Sequence, residues 1–389
     1  MRVLISGAGI AGPTLAFWLN HYGFETTIVE KAPKLRTGGY IIDFWGSGFE
    51  VAAKMGLLEA IRPKGYLVEE IRVVDQAGKR IAGFPAAAVA RVTGSRYVSL
   101  PRGDLAAAIF SRIDGTVETI FGDSIVGMRE TGDAVRVAFA SGPEREFDLV
   151  VGADGLHSRV RELVFGPENR FEKFLGYKAA AFRIDGYGPR DELIYVMYTE
   201  VGKQIARFSL RDDRTMFLCT FADAEPDCGD AHAQMALLRR RFGTCGWECP
   251  ALLNALEHVQ DFYFDRVSQI RMDAWSRGRV ALVGDAAYCI SLLAGQGSAL
   301  AMTGAYVLAG ELHRAGGDHR AAFGRYHQLI GPLLRSKQRA ALYFAGAFAP
   351  KSEFALWVRN RLFNLLRIGL IADFAVGRDL ADKITLPQY

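Results

Sequence analysis

Cysteine is scarce in this chain, and what there is does not pair off. Cys219, Cys228, Cys245, Cys249 and Cys289 are an odd number in 389 residues, which argues against a disulfide framework. Cys245 and Cys249 lie four apart with no second His/Cys pair nearby at ligand spacing. No metal site is therefore expected, and all five read as reduced thiols. An excess of one charge is also missing. Against 47 basic residues stand 43 acidic ones, with no Lys/Arg block of five or more, so a nucleic-acid partner is not indicated. Nor is there a long uncharged apolar run. The most membrane-like stretch, Phe354 to Val376, carries Arg359, Arg361, Arg367 and Asp373, so no transmembrane segment is expected. It reads as a long amphipathic helix docked on the protein, with an Arg-rich polar face; contact with a membrane surface is the alternative. Met1 to Ile10 run straight into a glycine motif, without a separate apolar region and cleavage site. A cytoplasmic location is expected on that ground.

What is present is a 50% hydrophobic composition over a length that usually divides into two packed domains. Val3-Leu4-Ile5 is a short apolar strand, a glycine turn follows, and a helix is predicted from about Gly12 to Tyr22. Thr26 to Val29 forms a second strand ending at Glu30, which completes a βαβ unit. Further on, helical patterns cover Gly48–Met55 and Gly103–Ser111. Alternation predicts strands at Glu70–Asp75 and Arg80–Phe84. Asp123–Glu130, Ala134–Ala140 and Arg145–Val151 read as a β-meander inserted in the α/β domain. From 173 to 270 the character changes. Strand-like runs at Ala180–Ile184, Leu193–Thr199, Gln204–Leu210 and Thr215–Phe221 precede a helix at Ala231–Phe242, which predicts an antiparallel sheet. Arg279–Val283 is again a buried-type strand. Helices are predicted at Gln296–Leu312 and His319–Phe348.

Gly7-Ala8-Gly9-Ile10-Ala11-Gly12 fits G-x-G-x-x-G between a strand and a helix. Gly7 permits the tight turn, Gly9 lets backbone approach a pyrophosphate, and Gly12 lets the helix pack on the strand. Ala11 sits within the same turn, and Lys31 follows the acid. Glu30, 18 residues past Gly12, is placed to accept the ribose hydroxyls of an adenosine.

Two later segments narrow this. Asp148-Leu-Val-Val-Gly-Ala-Asp154-Gly155-Leu-His-Ser158-Arg159-Val-Arg161 resembles the Asp-Gly signature of flavoprotein aromatic hydroxylases. Arg279-Val-Ala-Leu-Val-Gly284-Asp285-Ala286-Ala287, continued by Ala294-Gly295-Gln296-Gly297-Ser298-Ala299-Leu300, resembles their Gly-Asp signature. Leu100-Pro-Arg102-Gly-Asp104-Leu105 resembles the Arg-x-x-Leu segment of the class. Gly38-Gly39-Tyr40-Ile41-Ile42-Asp43-Phe44-Trp45-Gly46-Ser47-Gly48 is similar to the flavin-contacting segment of tetracycline-inactivating monooxygenases. The chain thus resembles the class A, single-component FAD-dependent monooxygenases, over roughly residues 1–345 and most strongly in the FAD half.

The resemblance implies a mixed α/β fold, with a Rossmann-type FAD-binding domain (1–72, 98–172 and 266–345), an inserted antiparallel-sheet substrate domain (73–97 and 173–265) and a C-terminal bridging helix (346–389). It implies FAD as cofactor, NADPH or NADH as reductant, and dioxygen as co-substrate. The activity expected is hydroxylation of an aromatic or polycyclic small molecule through a flavin C4a-hydroperoxide, by a monomer or homodimer; a flavin-dependent dehydrogenase or reductase of the same fold is the alternative. A slight positive balance would help attract a phosphorylated nicotinamide. Asp285 ends a parallel strand at the edge where such sheets bind ligands, and would accept from ribityl hydroxyls. Gly295, Gly297 and Ser298 open a helix whose free N–H groups would face the flavin pyrimidine edge. Arg102 would pair with a phosphate or ribityl oxygen, and Arg36, Gly39 and Asp43 would approach the flavin. Asp154 would cap the turn into the helix at Ser158 and shape the cofactor-facing loop beside Gly155, with Arg161 as its ion-pair partner or a surface charge. No residue is assigned the chemistry itself, which belongs to the cofactor.

The chain departs from the family at Tyr288-Cys289, in place of His-Pro, and at Leu292, in place of a Pro close to the flavin ring. That loop is where a distinct conformation and oxygen reactivity are expected. Cys289 reads as a buried inert thiol. Phe182, Tyr195, Tyr198, Phe208 and Phe217 are candidate pocket or sheet-core residues, and Arg183, Arg207 and Arg211 candidate polar contacts.

Overall fold

A computed structural model describes residues 1–36, 38–87, 96–224, 230–259, 261–367 and 384–389. The chain opens with β1 (Arg2–Ser6), α1 (Ala11–His21) and β2 (Glu25–Glu30). Next come β3 (Ile41–Trp45), α2 (Ser47–Lys54), the short α3 (Leu58–Ile61), β4 (Glu70–Val74) and β5 (Arg80–Pro85). They are followed by β6 (Tyr97–Pro101), α4 (Arg102–Phe110) and β7 (Glu118–Phe121). β8 (Ile125–Thr131), β9 (Ala134–Phe139) and β10 (Arg145–Phe147) form a three-stranded meander, after which β11 (Leu149–Gly152) leads to α5 (Arg159–Phe165). The middle of the chain is β12 (Glu172–Asp185), β13 (Ile194–Glu200), β14 (Lys203–Leu210), β15 (Arg214–Ala222), α6 (Ala231–Phe242) and α7 (Cys249–Ala255). It returns through β16 (Tyr263–Ile270), β17 (Ser276–Arg277) and β18 (Val280–Leu282). The helices α8 (Asp285–Tyr288), α9 (Gly297–Arg314), α10 (His319–Phe348) and α11 (Glu353–Leu365) complete it.

Two sheets organise this mixed α/β fold. The first has the order β17-β18-β11-β1-β2-β7, parallel except at the β17–β18 edge. Val3, Leu4 and Ile5 of its central strand have no exposed surface, as expected of a parallel strand covered by helices on both faces. The second has the order β16-β12-β15-β14-β13-β4-β5. It is antiparallel as expected, save that β13 and β4 run parallel. The expected domain boundaries at 72/73 and 265/266 fall inside β4 and β16, which run unbroken through this sheet. The two halves are therefore joined through strands rather than loops.

One expected strand divides. Arg145–Val151 reads as a single alternating segment, but β10 pairs antiparallel with β9 while β11 pairs parallel with β1. Asp148 marks the change of sheet: its carboxylate accepts from the Arg2 N–H at 2.6 Å and its own N–H donates to the Arg2 carbonyl. The apolar Leu149-Val150-Val151 run beyond it is buried on both faces, which alternation alone does not distinguish from a meander strand.

The segment from Phe354 is helical through Leu365, and 368–383 lie outside the described residues. Glu353, Arg361 and Arg367 are exposed as expected of a docked amphipathic helix, but the arginines divide between its faces. Arg359 is buried and donates to the Thr199 hydroxyl at 3.1 Å and the Gln204 side-chain oxygen at 3.2 Å. Phe354, Trp357, Leu362 and Leu365 face outward. Among the described residues, no helix is long and apolar enough to cross a membrane.

Cys219, Cys245, Cys249 and Cys289 are buried free thiols; Cys228 lies outside the described residues. The final residues return to the parallel-sheet half. The Tyr389 hydroxyl donates to the fully buried Glu311 carboxylate at 2.8 Å, alongside Arg314 at 2.9 Å. Removing one donor from a buried carboxylate costs about 1–3 kcal/mol. Tyr389→Phe should accordingly lower the urea midpoint with an unchanged m-value; an unaltered midpoint would show that this anchor contributes nothing.

Candidate functional site

The glycine turn is constrained where β1 meets α1. Gly7 has φ +108°, and a Cβ there would lie 2.5 Å from the Ala153 carbonyl oxygen; at Gly12 it would lie 1.9 Å from that of Gly7. Both positions exclude a side chain. At Gly9 a Cβ would meet only the Arg102 guanidinium, at 3.8 Å, so the missing side chain leaves open space rather than a packed contact. Glu30, at the end of β2, is held by two backbone donors: Ala8 N–H to Oε2 at 2.8 Å and Ala32 N–H to Oε1 at 2.9 Å. Each oxygen keeps lone-pair capacity for a further donor. Lys31 and Arg36 are exposed and do not line the adjoining cavity. Gly39, at φ +125°, backs onto the Arg102 side chain.

That cavity, about 410 Å³, lies between the C-terminal edge of the parallel sheet and one face of the second sheet. At its first end stand Gly9, Ala11, Arg102, Gly155 and Asp285. Burial raises the Asp285 pKa, and the nearby Arg102 charge partly offsets this. Gly295, Gly297, Ser298 and Leu292 line the adjacent wall. The loop there is strained, since Ser291 has φ +113° and Gly295 adopts a left-handed conformation before α9 begins. Burial pushes the Cys289 thiol up, well above its ordinary value, which keeps it protonated and unreactive. The helices α1, α4 and α9, whose first turns meet here, carry no side-chain cap. Of the other helices, α5, α6, α10 and α11 are capped by Ser158, Asp230, Asp318 and Ser352, while α2, α3, α7 and α8 also lack a side-chain cap. The free N–H groups of α1, α4 and α9 are available to an anionic or acceptor-rich ligand. An open cradle at Gly9, a buried carboxylate facing the cavity and these uncapped N-termini together fit a dinucleotide cofactor.

Asp154 lies behind this surface rather than on it. Its carboxylate accepts from the Ser158 hydroxyl and the Val160 N–H, holding the turn into α5. Burial raises its pKa. Arg161 is neither a surface charge nor the direct partner of Asp154. It is fully buried, pairs with Glu168 at 2.7 Å, and donates to the carbonyls of Leu156 and Ala286. It thereby ties the Asp-Gly loop to the Gly-Asp loop.

The far wall of the cavity is a sheet face. Tyr195 and Met197 of β13, Ala206 and Phe208 of β14, and Met216 and Leu218 of β15 point into it. Strand alternation sends Phe182, Tyr198 and Phe217 to the opposite face, where they pack under α6 and α7. So of the five aromatics considered, Tyr195 and Phe208 line the cavity and the other three are core. The arginines are otherwise engaged. Arg207 is 3% exposed and committed to Asp191 and Glu248. Arg183 pairs with Asp185 and Asp261, and Arg211 donates to the Lys64 and Gly65 carbonyls. Phe363 of α11 packs edge-on against Phe84, and both line the cavity.

Two polar clusters were not legible in the sequence. The β3–β6 ladder sets Asp43 opposite Ser99 and Trp45 opposite Tyr97. Asp43 Oδ1 then accepts from the Tyr97 hydroxyl at 2.6 Å and from the Ser99 hydroxyl. Alternation in Tyr97-Val-Ser99 puts both hydroxyls on one face, but only the pairing identifies their partner. The second cluster joins both halves at the cavity rim. His157 Nδ1 lies 2.9 Å from Glu168 and Nε2 3.2 Å from Asp265, and Asp265 lines the cavity. Hydrogen bonds to Asp265 and Glu168 raise the His157 pKa to about 10.

Comparison with known proteins agrees with this geometry. A family model described as FAD binding domain matches residues 1–321. A flavin-dependent monooxygenase from an unknown prokaryotic organism is 35% identical over 392 residues, covering 100% of this chain and 99% of the relative. An uncharacterised protein of Mycobacterium tuberculosis (strain H37Rv) is 42% identical over 331 residues, 84% of this chain and 88% of that protein. Among solved structures, the tetracycline destructase Tet(55) superposes with a TM-score of 0.84 at 33% identity, covering 100% of this chain and 98% of that one. Tet(51) does so with the same score at 31% identity, covering 100% and 99%.

The His157 pair has a pH signature. Because the folded-state pKa lies above the unfolded value of 6.5, its stabilising contribution is fully present below about pH 6.5 and lost as pH rises through about 10. Thermal midpoints should fall over that window, and His157→Gln should flatten the fall; identical slopes in both proteins would remove His157 from the interface.

Proposed function

Since this chain belongs to the FAD binding domain family and is an FAD-dependent monooxygenase, we propose that it consumes NADPH or NADH and dioxygen to hydroxylate an aromatic or polycyclic small molecule. The observation that carries this reading is the continuity of one cavity. It runs from the glycine loop and Asp285 to the apolar face formed by Met197, Phe208, Met216 and Leu218. A cofactor held at the first end and a ring compound held at the second share a single volume.

On this reading the α1 N-terminus and Gly9 receive the pyrophosphate, Glu30 the adenosine ribose, and Arg102 a phosphate or ribityl oxygen. Asp285 accepts from ribityl hydroxyls. The backbone of Gly295, Gly297 and Ser298 donates to the pyrimidine edge. Bound FAD supplies the redox chemistry, carrying electrons from the nicotinamide to dioxygen and one oxygen atom to the substrate. The protein's part is to orient the substrate and exclude water, which would otherwise divert oxygen to hydrogen peroxide. The aliphatic and aromatic sheet face does both. Phe348 and Phe363 close the cavity from the C-terminal side. Free buried thiols suit the reducing cytoplasm.

The test uses protein reconstituted with FAD, supplied with NADPH, and offered tetracycline and a panel of phenols. The expected result is substrate-stimulated NADPH oxidation, with one atom of labelled dioxygen in the product. Turnover without dioxygen, supported by an artificial acceptor, would instead establish a reductase. Asp285→Ala should weaken FAD binding roughly 10- to 100-fold, the loss of hydrogen bonds to a charged group. Unchanged FAD affinity would displace Asp285 from the ribityl site.

A further inference from the structure

Asp43 is half-buried and lines the cavity, with one carboxylate oxygen partnered and the other open to it. Oδ1 already accepts from two hydroxyls, those of Tyr97 and Ser99. Oδ2 has no hydrogen-bond or ionic partner among the described residues. Burial raises the Asp43 pKa and these two hydroxyls partly offset the rise, with no cation among the described groups acting on it. The Tyr195 hydroxyl stands beside the cluster, close to Asp43, Tyr97 and Ser99. Elsewhere in the same cavity the carboxylates have counter-charges: Asp285 has Arg102 and Asp265 has His157. Arg207, which also lines the cavity, is neutralised by Asp191 and Glu248. The neighbouring walls are Ile41, Ile71, Phe208 and Met216.

A half-satisfied carboxylate in an apolar wall discriminates in two directions. It gains from any donor that fills its free oxygen, because the charged hydrogen bond forms out of water. In its ionised form it repels an anion, because neither charge has a compensating partner there. We propose that Asp43 is the specificity-determining residue of the substrate end of the cavity. Its free Oδ2 accepts a hydrogen bond from a hydroxyl on the ring substrate, and its charge turns carboxylated rings away. The Tyr97 and Ser99 hydroxyls hold the carboxylate in place for this, acting as positioning residues. The inference rests on the reading above that a ring compound occupies this face, and it assigns Asp43 to the substrate rather than to the cofactor.

The experiment measures binding to the FAD-loaded enzyme, by perturbation of flavin absorbance, for matched hydroxy, methoxy and carboxylate derivatives of naphthalene and anthracene. With the wild-type protein the hydroxy compound should bind roughly 10- to 100-fold more tightly than its methyl ether, and the carboxylate most weakly. Asp43→Asn retains an acceptor for Tyr97 and Ser99 but turns the free oxygen into a donor without charge. In that variant the hydroxy advantage should collapse and the carboxylate should gain affinity, while FAD affinity stays unchanged. Tyr195→Phe, which keeps the carboxylate, should preserve the order of the three compounds. A hydroxy advantage that survives Asp43→Asn overturns the proposal. So does loss of FAD from that variant, which would make Asp43 a cofactor residue. If no ring compound of either size binds the loaded enzyme, the ring-substrate reading itself fails and this inference falls with it.

Discussion

The structure depends on the contact of three backbone segments at the C-terminal edge of the parallel sheet. Gly7 abuts Ala153 and Gly12 abuts Gly7. β1 therefore turns into α1 with no side chain between the strand, the helix and the Asp-Gly loop. That closeness leaves the α1 N-terminus bare, and α4 and α9 bring two more bare N-termini to the same edge. Every other function-bearing feature is arranged around this point. Arg161 fixes the Asp-Gly and Gly-Asp loops to each other. Glu30 is held at the loop by two amides.

The second sheet contributes by having two unlike faces. One buries Phe182, Phe217 and Phe221 under α6 and α7 and behaves as ordinary core. The other leaves Tyr195, Met197 and Phe208 facing the first domain across open space. Packing this face with helices would have given a more conventional domain and no cavity. The His157 bridge between Glu168 and Asp265, and Arg211 on the Lys64 and Gly65 carbonyls, hold the halves at that separation. β4 and β5 add a hydrogen-bonded route, since they precede the second half in the chain yet complete its sheet through the pairing of β4 with β13.

What was readable in advance followed from local rules. A glycine turn between a strand and a helix, with an acid ending the next strand, was readable at Gly7, Gly9, Gly12 and Glu30, and β1, α1 and β2 lie around it as that pattern predicts. Hydrophobic periodicity located α6 and α10 at Ala231–Phe242 and His319–Phe348. Where two sheets meet in consecutive residues, periodicity was blind, as at Arg145–Val151, because both strands alternate alike. The Arg-bearing helix near the C-terminus was legible as a helix but not in orientation, since Arg359 finds buried partners on β13 and β14 that outweigh its preference for water.

The sequence alone determined where the glycine turn, its flanking strand and helix, and the acid after the second strand lie, and which strands bring aromatic residues. These are properties of a few contiguous residues obeying turn and helix-terminus geometry. The tertiary structure alone decided which aromatics face the cavity, that Arg161 answers to Glu168, and that Asp43 shares its carboxylate with Tyr97 and Ser99. Each of those depends on strand pairing between residues far apart in the chain. Register across such a distance is set by the whole core at once and by no local pattern.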